Sequence, residues 1–473
     1  MQPDLHTAYE NKMFALRLLA LLAAAGPLHA AVIAERAPIA ITNVTIVDAA
    51  RNRPAETVII SNGRIGSITP NRDAKIPADA QRVDGKGRYL IAGLVDMHVH
   101  LFNLSSHRPP NDWTFALFVA NGVTAVREMN ANAAAMEIVR HWRKELADGN
   151  LIGPRILAAG IAVQGKSPQD AGEDVARAAA AGADFIKIFS EVSAANWTAI
   201  LEAARAHSLP IAGHVPAGIA VIEAAKAGQR SDEHLMQLYE ACSPGEQRFL
   251  DSRRNLAGED LVARRDSEEA ETLATFERQR CDRVAKALAA TSQVQVPTLV
   301  LPYAELKRSD GAADDVRLKY LRQDERLRWE RAAASLTPDD AAMMKQRWPI
   351  ARQITAALHR ARVPLLAGTD TPMPGVYPGY SLHEELALLV ESGLSAREAL
   401  LAATLAPAEF LGIAADTGSV AIGKRADLVL LDADPAKDIR NTQRISAVVL
   451  DGRLLRRDDL DALLRGAASA AGP

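Results

Sequence analysis

The sequence predicts an α/β protein, a (β/α)8 TIM barrel with a small β domain that both chain ends form together. Three observations lead to this fold class. The chain has 473 residues, which exceeds one average domain. From about residue 94 to 405, short apolar runs alternate with helical stretches, which is typical of repeated βα units around a parallel sheet. Residues 38–90 and 418–455 have instead the pattern of short strands joined by turns.

Composition excludes several classes of protein. A hydrophobic share of 48% and a charged share of 24% are ordinary for a globular chain, so long disorder and a collagen-like repeat are excluded. The net charge of −3 gives no electrostatic footprint for nucleic acid or for an anionic membrane surface. Cys242 and Cys281 are too few for a disulfide scaffold. We therefore expect an enzyme that acts on a small molecule, without a nucleic-acid partner. Whether it forms a homo-oligomer is left open.

The N-terminus has the layout of a secretory signal peptide, predicted over residues 1–30. Basic residues flank an apolar run over residues 18–25, which is too short to span a bilayer. The first twelve residues are polar and acidic, which favours a translation start at Met13. A buried N-terminal helix is the alternative interpretation. The mature protein is therefore expected in the periplasm or outside the cell, with no stable membrane span after signal removal.

Both chain ends are expected to build one composite sheet domain, over residues 31–93 and 406–460. In the first segment apolar and polar residues alternate, and Asn62-Gly63 and Asp84-Gly85 predict hairpin turns. The second segment contains a further strand–turn–strand pattern over residues 445–455. Similar β patterns at both ends of the chain indicate one domain.

The barrel itself is predicted over residues 94–405. Apolar residues on one face predict a helix over Ser381–Gly393, and Ser395 with Glu398 forms a capping box that begins the next helix. The strand candidates, in chain order, are Leu94–Val99, Val123–Arg127, Arg155–Ala159, Phe185–Phe189, Pro210–Gly213, Arg230–Glu233, Gln293–Val300 and Val363–Ala367.

One segment departs from the rhythm of the barrel. Residues 240–350 are rich in Arg, Asp and Glu and predict long helices. We interpret them as a helical insertion around the seventh strand. Either the insertion covers the site or it is a solvated decoration.

Residues of metal-ligand type stand at the ends of the strand candidates. His98 and His100 are spaced i and i+2, which places both imidazoles on one side of a strand. The other members of the set follow later strand candidates: Lys187, His214, His234 and Asp370. Taken singly, these residues also fit an edge lysine, two satisfied core histidines and a helix N-cap. Their joint occurrence in barrel order favours a metal site at the end of the barrel where such enzymes carry catalytic groups.

Lys187 is informative because a lysine inside an apolar strand is costly to bury without a role. One such role is reaction with carbon dioxide, which yields a carbamate whose oxygens bridge two cations. An edge lysine that reaches solvent is the alternative.

Seven motifs together resemble the amidohydrolase superfamily, specifically its binuclear, prolidase-like and imidazolonepropionase-related branch. The resemblance extends from about residue 39 to 453 and implies a distorted (β/α)8 barrel with a small β-sandwich. The motifs are IAGLVDMHVHL (91–101), GVTAVREM (122–129), ADFIKIF (183–189), AGHVPAGI (212–219), DEHL (232–235), AGTDTP (367–372) and GKRADLVLLDADP (423–435).

The resemblance implies two divalent cations, with zinc favoured by the imidazole-rich ligand set. The implied ligands are His98, His100, Lys187, His214, His234 and Asp370. The first two histidines would hold the more buried cation and the last two the second one. N6-carboxylated Lys187 would bridge both cations. Asp370 would ligate the first cation and act as the catalytic base that passes a proton from water to the leaving nitrogen.

The implied reaction is hydrolysis of a C–N bond in a small substrate such as a dipeptide or an N-acyl amino acid. A mononuclear cyclic-amide hydrolase or deaminase, which would not need Lys187, is the alternative, and a non-catalytic barrel scaffold is a third reading. Ala92 and Glu128 depart from the family pattern at positions that are not ligands. Arg127 is expected either to bind a substrate carboxylate or to pair with a neighbouring carboxylate.

Overall fold

A computed structural model describes residues 37–102, 110–309 and 315–472. The predicted signal peptide over residues 1–30 lies outside these residues. Among the residues that are described, no helix is both long and apolar enough to cross a membrane. The structure contains a parallel sheet of seven strands that curves into a nearly closed barrel, and a separate sheet built from both chain ends. The predicted fold class is therefore confirmed.

The strands fall into two groups, one for each sheet. The strands are β1 (Ile39–Val47), β2 (Asn52–Ser61), β3 (Arg64–Pro70), β4 (Gln81–Asp84), β5 (Tyr89–Ala92), β6 (Leu94–Val99), β7 (Val123–Ala131), β8 (Arg155–Ala162), β9 (Phe185–Ile188), β10 (Ile211–Gly213), β11 (Ser231–Glu233), β12 (Val294–Val296), β13 (Leu428–Leu431), β14 (Ile445–Leu450) and β15 (Arg453–Arg456).

Helices separate most of the barrel strands and follow the last one. The α-helices are α1 (Phe115–Ala120), α2 (Ala135–Asp148), α3 (Pro168–Ala180), α4 (Ala194–Ala206), α5 (Val221–Ala227), α6 (Met236–Ala241), α7 (Glu246–Arg253), α8 (Gly258–Ala274), α9 (Arg278–Ala289), α10 (Val300–Ser309), α11 (Gln323–Ala334), α12 (Pro338–Arg360), α13 (Tyr380–Glu391), α14 (Ala396–Ala402), α15 (Leu405–Phe410) and α16 (Arg457–Ala471). Short 3-10 helices span Asn71–Asp73, Asp112–Thr114, Val316–Tyr320 and Ile439–Gln443.

The composite sheet joins the two ends of the chain through one strand pair. Its order is β15-β14-β13-β5-β1-β2-β3, with β4 beside β1. β5 pairs antiparallel with β13, so that Leu90 lies opposite Leu430. Side chains such as Ile41, Ile60 and Val449 form a core within this sheet, separate from the core around the barrel. The strand pattern of both ends therefore produces one sheet, as expected from the sequence.

One of the two predicted hairpin turns is present and the other prediction was wrong. Asn62 and Gly63 join the antiparallel strands β2 and β3 with φ angles of 50° and 72°, the left-handed conformation that this turn requires. Asp84-Gly85 does not reverse the chain, because β4 and β5 both pair in parallel with β1. The segment between them leaves the edge of β1 and rejoins it further along. Gly85 fits closely there, since a Cβ atom would lie 2.6 Å from that of Val44.

The barrel sheet has the order β12-β11-β10-β9-β8-β7-β6, with every pair parallel. These are the first seven predicted strands. The eighth, expected over Val363–Ala367, does not form a regular strand. The barrel is closed instead by residues 364–371, the closing segment, through single bridges from Leu365 to Gln295 and from Thr371 to Val99.

The physical reason lies in the residues of the closing segment. Pro364 has no amide N–H to donate to a ladder. Gly368 lies so close to β6 and β12 that a Cβ atom would come within 2.9 Å of His98 Cβ and 2.7 Å of Val296 Cγ1. Asp370 has a φ of 66°, which breaks the extended repeat. The segment therefore closes the barrel with single bridges rather than a continuous ladder.

The predicted helices after the closing segment are present. α13 covers most of the expected range and presents Leu382, Leu386 and Leu389 to the core. At the start of α14, the Ser395 hydroxyl accepts the amide N–H of Glu398 while the Glu398 carboxylate accepts that of Ser395. This is the expected capping box.

The region over residues 240–350 contains helices α7 to α11 and most of α12, with β12 among them. Two features fasten the part of it before β12. A disulfide joins Cys242, directly after α6, to Cys281 of α9, a pairing that the sequence did not predict. Buried Arg253 donates to Glu240 at 2.7 Å and to Glu268 at 2.8 Å. Both features tie the helices to the chain that follows β11.

Candidate metal centre

The side chains predicted to bind metal all lie at the carboxyl ends of the barrel strands. His98 belongs to β6 and Lys187 to β9. The others come after their strands: His100 after β6, His214 after β10, His234 after β11 and Asp370 in the closing segment. Parallel strands of a barrel bring their carboxyl ends to one face. All six side chains therefore reach the same end of the barrel.

Three of them form one compact group. The possible ligand atoms of His98, His100 and Asp370 lie within 4.8 Å of one another. Oδ1 of Asp370 is 2.8 Å from Nε2 of His100 and 3.2 Å from Nε2 of His98. His98 is fully buried and Asp370 is nearly so.

The orientation of His98 is fixed by a buried ion pair behind it. Its Nδ1 lies 2.8 Å from Oε2 of Glu233, and Oε1 of the same carboxylate accepts a hydrogen bond from Nη2 of Arg127 at 2.8 Å. Burial alone would raise the pKa of Glu233, but the charge of Arg127 and the hydrogen bond from His98 hold it well below its usual range. Glu233 is therefore a carboxylate, and it favours the tautomer of His98 that carries its proton on Nδ1.

His234 and His214 continue the group on the next strands. The ring of His234 lies 4.5 Å from that of His98 and 4.9 Å from that of His214, measured between centroids. Each ring also contacts a hydroxyl: His214 Nδ1 is 2.9 Å from Ser190 Oγ, and His234 Nδ1 is 2.8 Å from Thr298 Oγ1. Burial lowers the pKa of His234 to about 3 and that of His214 well below its usual value. Both imidazoles are therefore neutral, the form that ligates metals.

Lys187 lies beside the histidines and is wholly buried. In the parallel pair of β9 and β10 it is opposite Ala212, next to Gly213, where a Cβ atom would come within 2.6 Å of its Cδ. Its Nζ lies 4.9 Å from the centre of the Phe189 ring and has no hydrogen-bond partner among the described residues. Burial lowers the pKa of the Lys187 amine to about 8. The lysine is not the solvent-exposed edge residue that was its alternative interpretation.

Asp370 is held in place by the closing segment. Its backbone N–H donates to the carbonyl of His98 at 2.8 Å, and its φ of 66° turns the side chain toward the histidines. Burial opposes ionisation of Asp370, but the surrounding histidines, two of which contact its carboxylate, hold the pKa of the carboxyl well below its usual range. The sequence offered a helix N-cap as the other role for this residue, but its carboxylate contacts His98 and His100 instead.

Two further buried carboxyls support the strand ends. Asp96 accepts hydrogen bonds from the N–H of Thr369 at 3.0 Å and from its hydroxyl at 2.7 Å, which attaches the closing segment to β6. Burial raises the pKa of Asp96 to about 7. Glu128 accepts the backbone N–H groups of Leu101 and Asn130, and burial likewise raises its pKa to about 7. The departure from the family pattern at Glu128 thus concerns a residue that holds the chain after β6.

The donor set fits divalent cations. Neutral imidazoles and carboxylates are ligands that zinc accepts, and no thiolate lies among the site residues named here. Buried polar atoms without a hydrogen bond in the described structure lie within the site, namely His98 Nε2, His100 Nδ1 and Lys187 Nζ. His98, His100 and Asp370 form the one group of described residues whose atoms already meet the spacing for a single ion. Whether a second cation binds depends on His214, His234 and Lys187.

The sequence did not single out Glu233, Ser231, Asp96 or Thr369. Glu233 stood next to His234 in the motif DEHL, but its partner lies on β6 and no local pattern indicates that pair. For Arg127 two roles were open, and the structure shows the second. Its guanidinium is 1% exposed and paired with Glu233, so it is not directed at a substrate.

The sequence profile of the Amidohydrolase family matches residues 89–455. A Bifidobacterium longum protein proposed to be a prolidase superposes with a TM-score of 0.63 at 25% identity, covering 92% of this chain and 99% of that one. The bottromycin amidohydrolase superposes with a TM-score of 0.69 at 24% identity, covering 92% and 91%.

Curated relatives match over short stretches. A deacetylase of Brucella anthropi is 40% identical over 67 residues, which are 14% of this chain and 17% of the relative. A 5′-deoxyadenosine deaminase of Methanobrevibacter smithii is 34% identical over 70 residues, which are 15% of this chain and 16% of the relative. These matches span about a sixth of each relative, so they carry no substrate over to this chain. The family profile covers most of the chain, and the chain therefore belongs to the amidohydrolase family.

Proposed function

We propose that the protein is a metal-dependent hydrolase that cleaves the C–N bond of a linear amide or peptide, in a small substrate such as a dipeptide or an N-acyl amino acid. The observation that carries the proposal is the position of Asp370. Its carboxylate contacts the ring nitrogens of His98 and His100 at the carboxyl end of the barrel. The likeness to a protein proposed to be a prolidase supports the choice of amide substrates.

In this proposal six side chains bind two divalent cations, of which zinc is the favoured choice. The six are His98, His100, Lys187, His214, His234 and Asp370. When bound, the cations would supply activation of water and polarisation of the substrate carbonyl. The ring of His234 lies 4.5 Å from that of His98 and 4.9 Å from that of His214, measured between centroids, so histidines of neighbouring strands lie close together. The buried setting of these residues would limit the access of bulk water.

Asp370 has the proton-transfer role in this proposal. It accepts one proton from the attacking water and delivers it to the leaving nitrogen, so the amine departs neutral. The acyl part leaves as a carboxylic acid, which then loses the second proton of the water to solvent and becomes a carboxylate. The electrostatic setting supports this role, because the neighbouring histidines keep the Asp370 carboxyl ionised before reaction.

Lys187 is proposed to carry a carboxyl group on Nζ. The neutral amine adds to carbon dioxide, a C–N bond forms, one proton leaves to solvent, and the product is an anionic carbamate. The support is geometric: Nζ is buried and lacks a hydrogen-bond partner in the described structure, and Lys187 pairs across the sheet with Ala212, two residues before His214. A carbamate would provide the oxygen donors that the histidines lack.

A mononuclear cyclic-amide hydrolase or deaminase is the second candidate. One observation favours it: among the described residues, His98, His100 and Asp370 form the one group with ion-binding spacing. In that case Lys187 would have no role in metal binding. The third interpretation, a scaffold without catalysis, requires that the protein shows no metal-dependent turnover.

One experiment separates the three. The purified protein is stripped with a chelator, reloaded with zinc or manganese, and analysed for metal per chain. It is then tested on dipeptides, N-acyl amino acids, cyclic amides and aminopurine nucleosides. Two metals and release of amine from linear amides support the proposal. One metal with ring opening or deamination supports the second candidate, and no metal-dependent turnover supports the scaffold.

Export to the periplasm or the medium is part of the proposal. The Cys242–Cys281 disulfide supports it, because disulfides persist in oxidising compartments. N-terminal sequencing of the protein from fractionated cells tests it. A mature chain that begins near residue 31 in the periplasmic or secreted fraction is expected, and an intact chain in the cytosol would contradict it.

A further inference from the structure

The four candidate histidine ligands differ in the group that contacts their Nδ1 atoms. A histidine that binds metal through Nε2 leaves Nδ1 for a partner, and that partner sets the basicity of the ligand. Nδ1 of His98 faces the carboxylate of Glu233 at 2.8 Å. Nδ1 of His214 and of His234 each face a neutral hydroxyl. Nδ1 of His100 is buried without a hydrogen bond among the described residues.

The carboxylate behind His98 is fixed from several directions. Ser231 Oγ donates to Glu233 Oε1 at 2.5 Å, beside the hydrogen bond from Arg127. Arg127 in turn donates from Nε to the carbonyl of Met97 at 2.6 Å. Its guanidinium carbon lies 5.7 Å from the centre of the Phe185 ring. Because Arg127 and Glu233 are at most 1% exposed, water does not screen their charges.

We propose that the Arg127–Glu233 pair makes the two cation positions unequal, so that the position of His98 and His100 binds its cation more tightly than that of His214 and His234. A hydrogen bond to a carboxylate is about twice as strong as one to a neutral group, and it enriches the ligating nitrogen in electron density. Loss of such a partner weakens metal binding by about 10–100-fold. Glu233 and Arg127 are positioning residues, since Glu233 acts through His98 and Arg127 acts through Glu233. This inference rests on the proposed binuclear function.

The consequence is ordered loading. The first equivalent of metal fills the position of His98 and His100, and the second fills the other position. A chelator removes them in the reverse order. The hydroxyls of Ser190 and Thr298 orient their histidines without adding a negative charge behind them.

The test is a zinc titration of the stripped full-length protein in competition with a chromophoric chelator. The wild type is expected to show two classes of site. In Glu233→Gln the tighter class weakens by about 10–100-fold while the weaker class is unchanged. Two further variants show which position each class of site corresponds to. His214→Ala is expected to remove the weaker class of zinc site. Adding Glu233→Gln to His214→Ala is expected to weaken zinc binding at the single class that remains.

A matched control separates positioning from stability. Glu240 is another buried carboxylate paired with a buried arginine, Arg253, but it contacts no candidate ligand. Glu240→Gln and Glu233→Gln are both expected to unfold at lower denaturant concentration, and only the second to lose zinc affinity. Should Glu233→Gln fail to fold, Ser231→Ala and Arg127→Lys weaken the same pair, and smaller losses confined to the tighter class are expected.

The outcomes distinguish this inference from the proposed function. A wild type that binds fewer than two cations contradicts the binuclear function and the inference with it. A wild type with two cations whose affinities are the same, or unchanged in Glu233→Gln, overturns the inference and leaves the function standing.

Discussion

The carboxylate of Asp370 lies 2.8 Å from Nε2 of His100, although the two residues are 270 positions apart in the chain. One is on the closing segment and the other follows β6, so the contact exists only when the barrel is closed. Barrel closure and the assembly of the candidate site are therefore one event.

Replacing Asp370 by Asn tests its role in proton transfer. The amide keeps the shape and one ligating oxygen of the side chain but cannot hold a proton between water and the leaving nitrogen. Turnover should fall by about 10²–10⁴-fold while metal content stays near that of the wild type. Metal analysis of the variant beside its kcat checks this. Loss of metal together with activity would mean that Asp370 is mainly a ligand.

Replacing Lys187 by Ala tests the bridging carbamate. The variant should be inactive because it lacks the carbamate oxygens that would bridge the two cations. A short carboxylic acid such as acetate should restore part of the activity by occupying the space that the lysine side chain leaves. Lys187→Met is the matched control, because its side chain fills that space and leaves no room for the acid. Activity in Lys187→Ala equal to the wild type would contradict the binuclear proposal.

Replacing Gly368 by Ala tests the tight fit of the closing segment. The new methyl group would lie 2.9 Å from His98 Cβ and 2.7 Å from Val296 Cγ1, so the segment must move. We expect a loss of about 1–3 kcal/mol in the free energy of unfolding, together with weaker metal binding. In Gly172→Ala, within α3 and with open space around it, a gain of about 0.5–1 kcal/mol is expected. Urea unfolding of both variants provides the measurement, and equal effects would refute the steric argument.

Acidic pH should lower the free energy of unfolding through His383 of α13. Its Nδ1 lies 2.9 Å from Thr442 Oγ1 and its Nε2 3.0 Å from the carbonyl of Asn121. Burial lowers the pKa of His383 from 6.5 to about 4, so the unfolded chain takes up a proton between these values while the folded chain does not. Stability therefore falls as the pH drops from about 6.5 to 4, by about 3 kcal/mol for this group.

The comparison with His383→Gln isolates that contribution, since other buried histidines are common to both proteins. Unfolding is followed in metal-free buffer between pH 7 and 4. The variant should lose less stability over this range than the wild type. Parallel pH dependences in the two proteins would show that His383 does not contribute.

Reduction of the Cys242–Cys281 disulfide should destabilise the helices that follow β11. The bond closes a loop with a sequence separation of 39, and its loss should cost about 2–4 kcal/mol. Thermal unfolding with and without reductant measures the effect. A Cys242→Ala/Cys281→Ala variant should match the reduced wild type and show no response to reductant. A response in that variant would point to another cause.

Local patterns account for what the sequence predicted well. The i, i+2 spacing of His98 and His100, the apolar runs before each ligand and the Ser395–Glu398 capping box are all signals within a few residues. The carboxyl ends of parallel strands meet at one end of a barrel, so the position of the six side chains at that end needed no long-range information.

The remaining features depend on contacts that no local pattern encodes. Glu233 and Arg127 pair across strands 106 positions apart, and each alone resembles an ordinary charged residue. Asp84-Gly85 has the residues of a hairpin turn, but the chain does not reverse there, because β4 and β5 both pair in parallel with β1. The eighth strand is irregular because Gly368 packs closely against its neighbours and Asp370 has a positive φ that interrupts the extended backbone.

The strand pair β5–β13 has a consequence for the order of biosynthesis. One edge of β5 pairs with β1, but the other pairs Ile91 with Val429 and has no partner until β13 has been made. Such non-local pairing is slow and exposes apolar strand edges to aggregation. The composite sheet is therefore completed only after its C-terminal strands have been made, so it is expected to form late in synthesis.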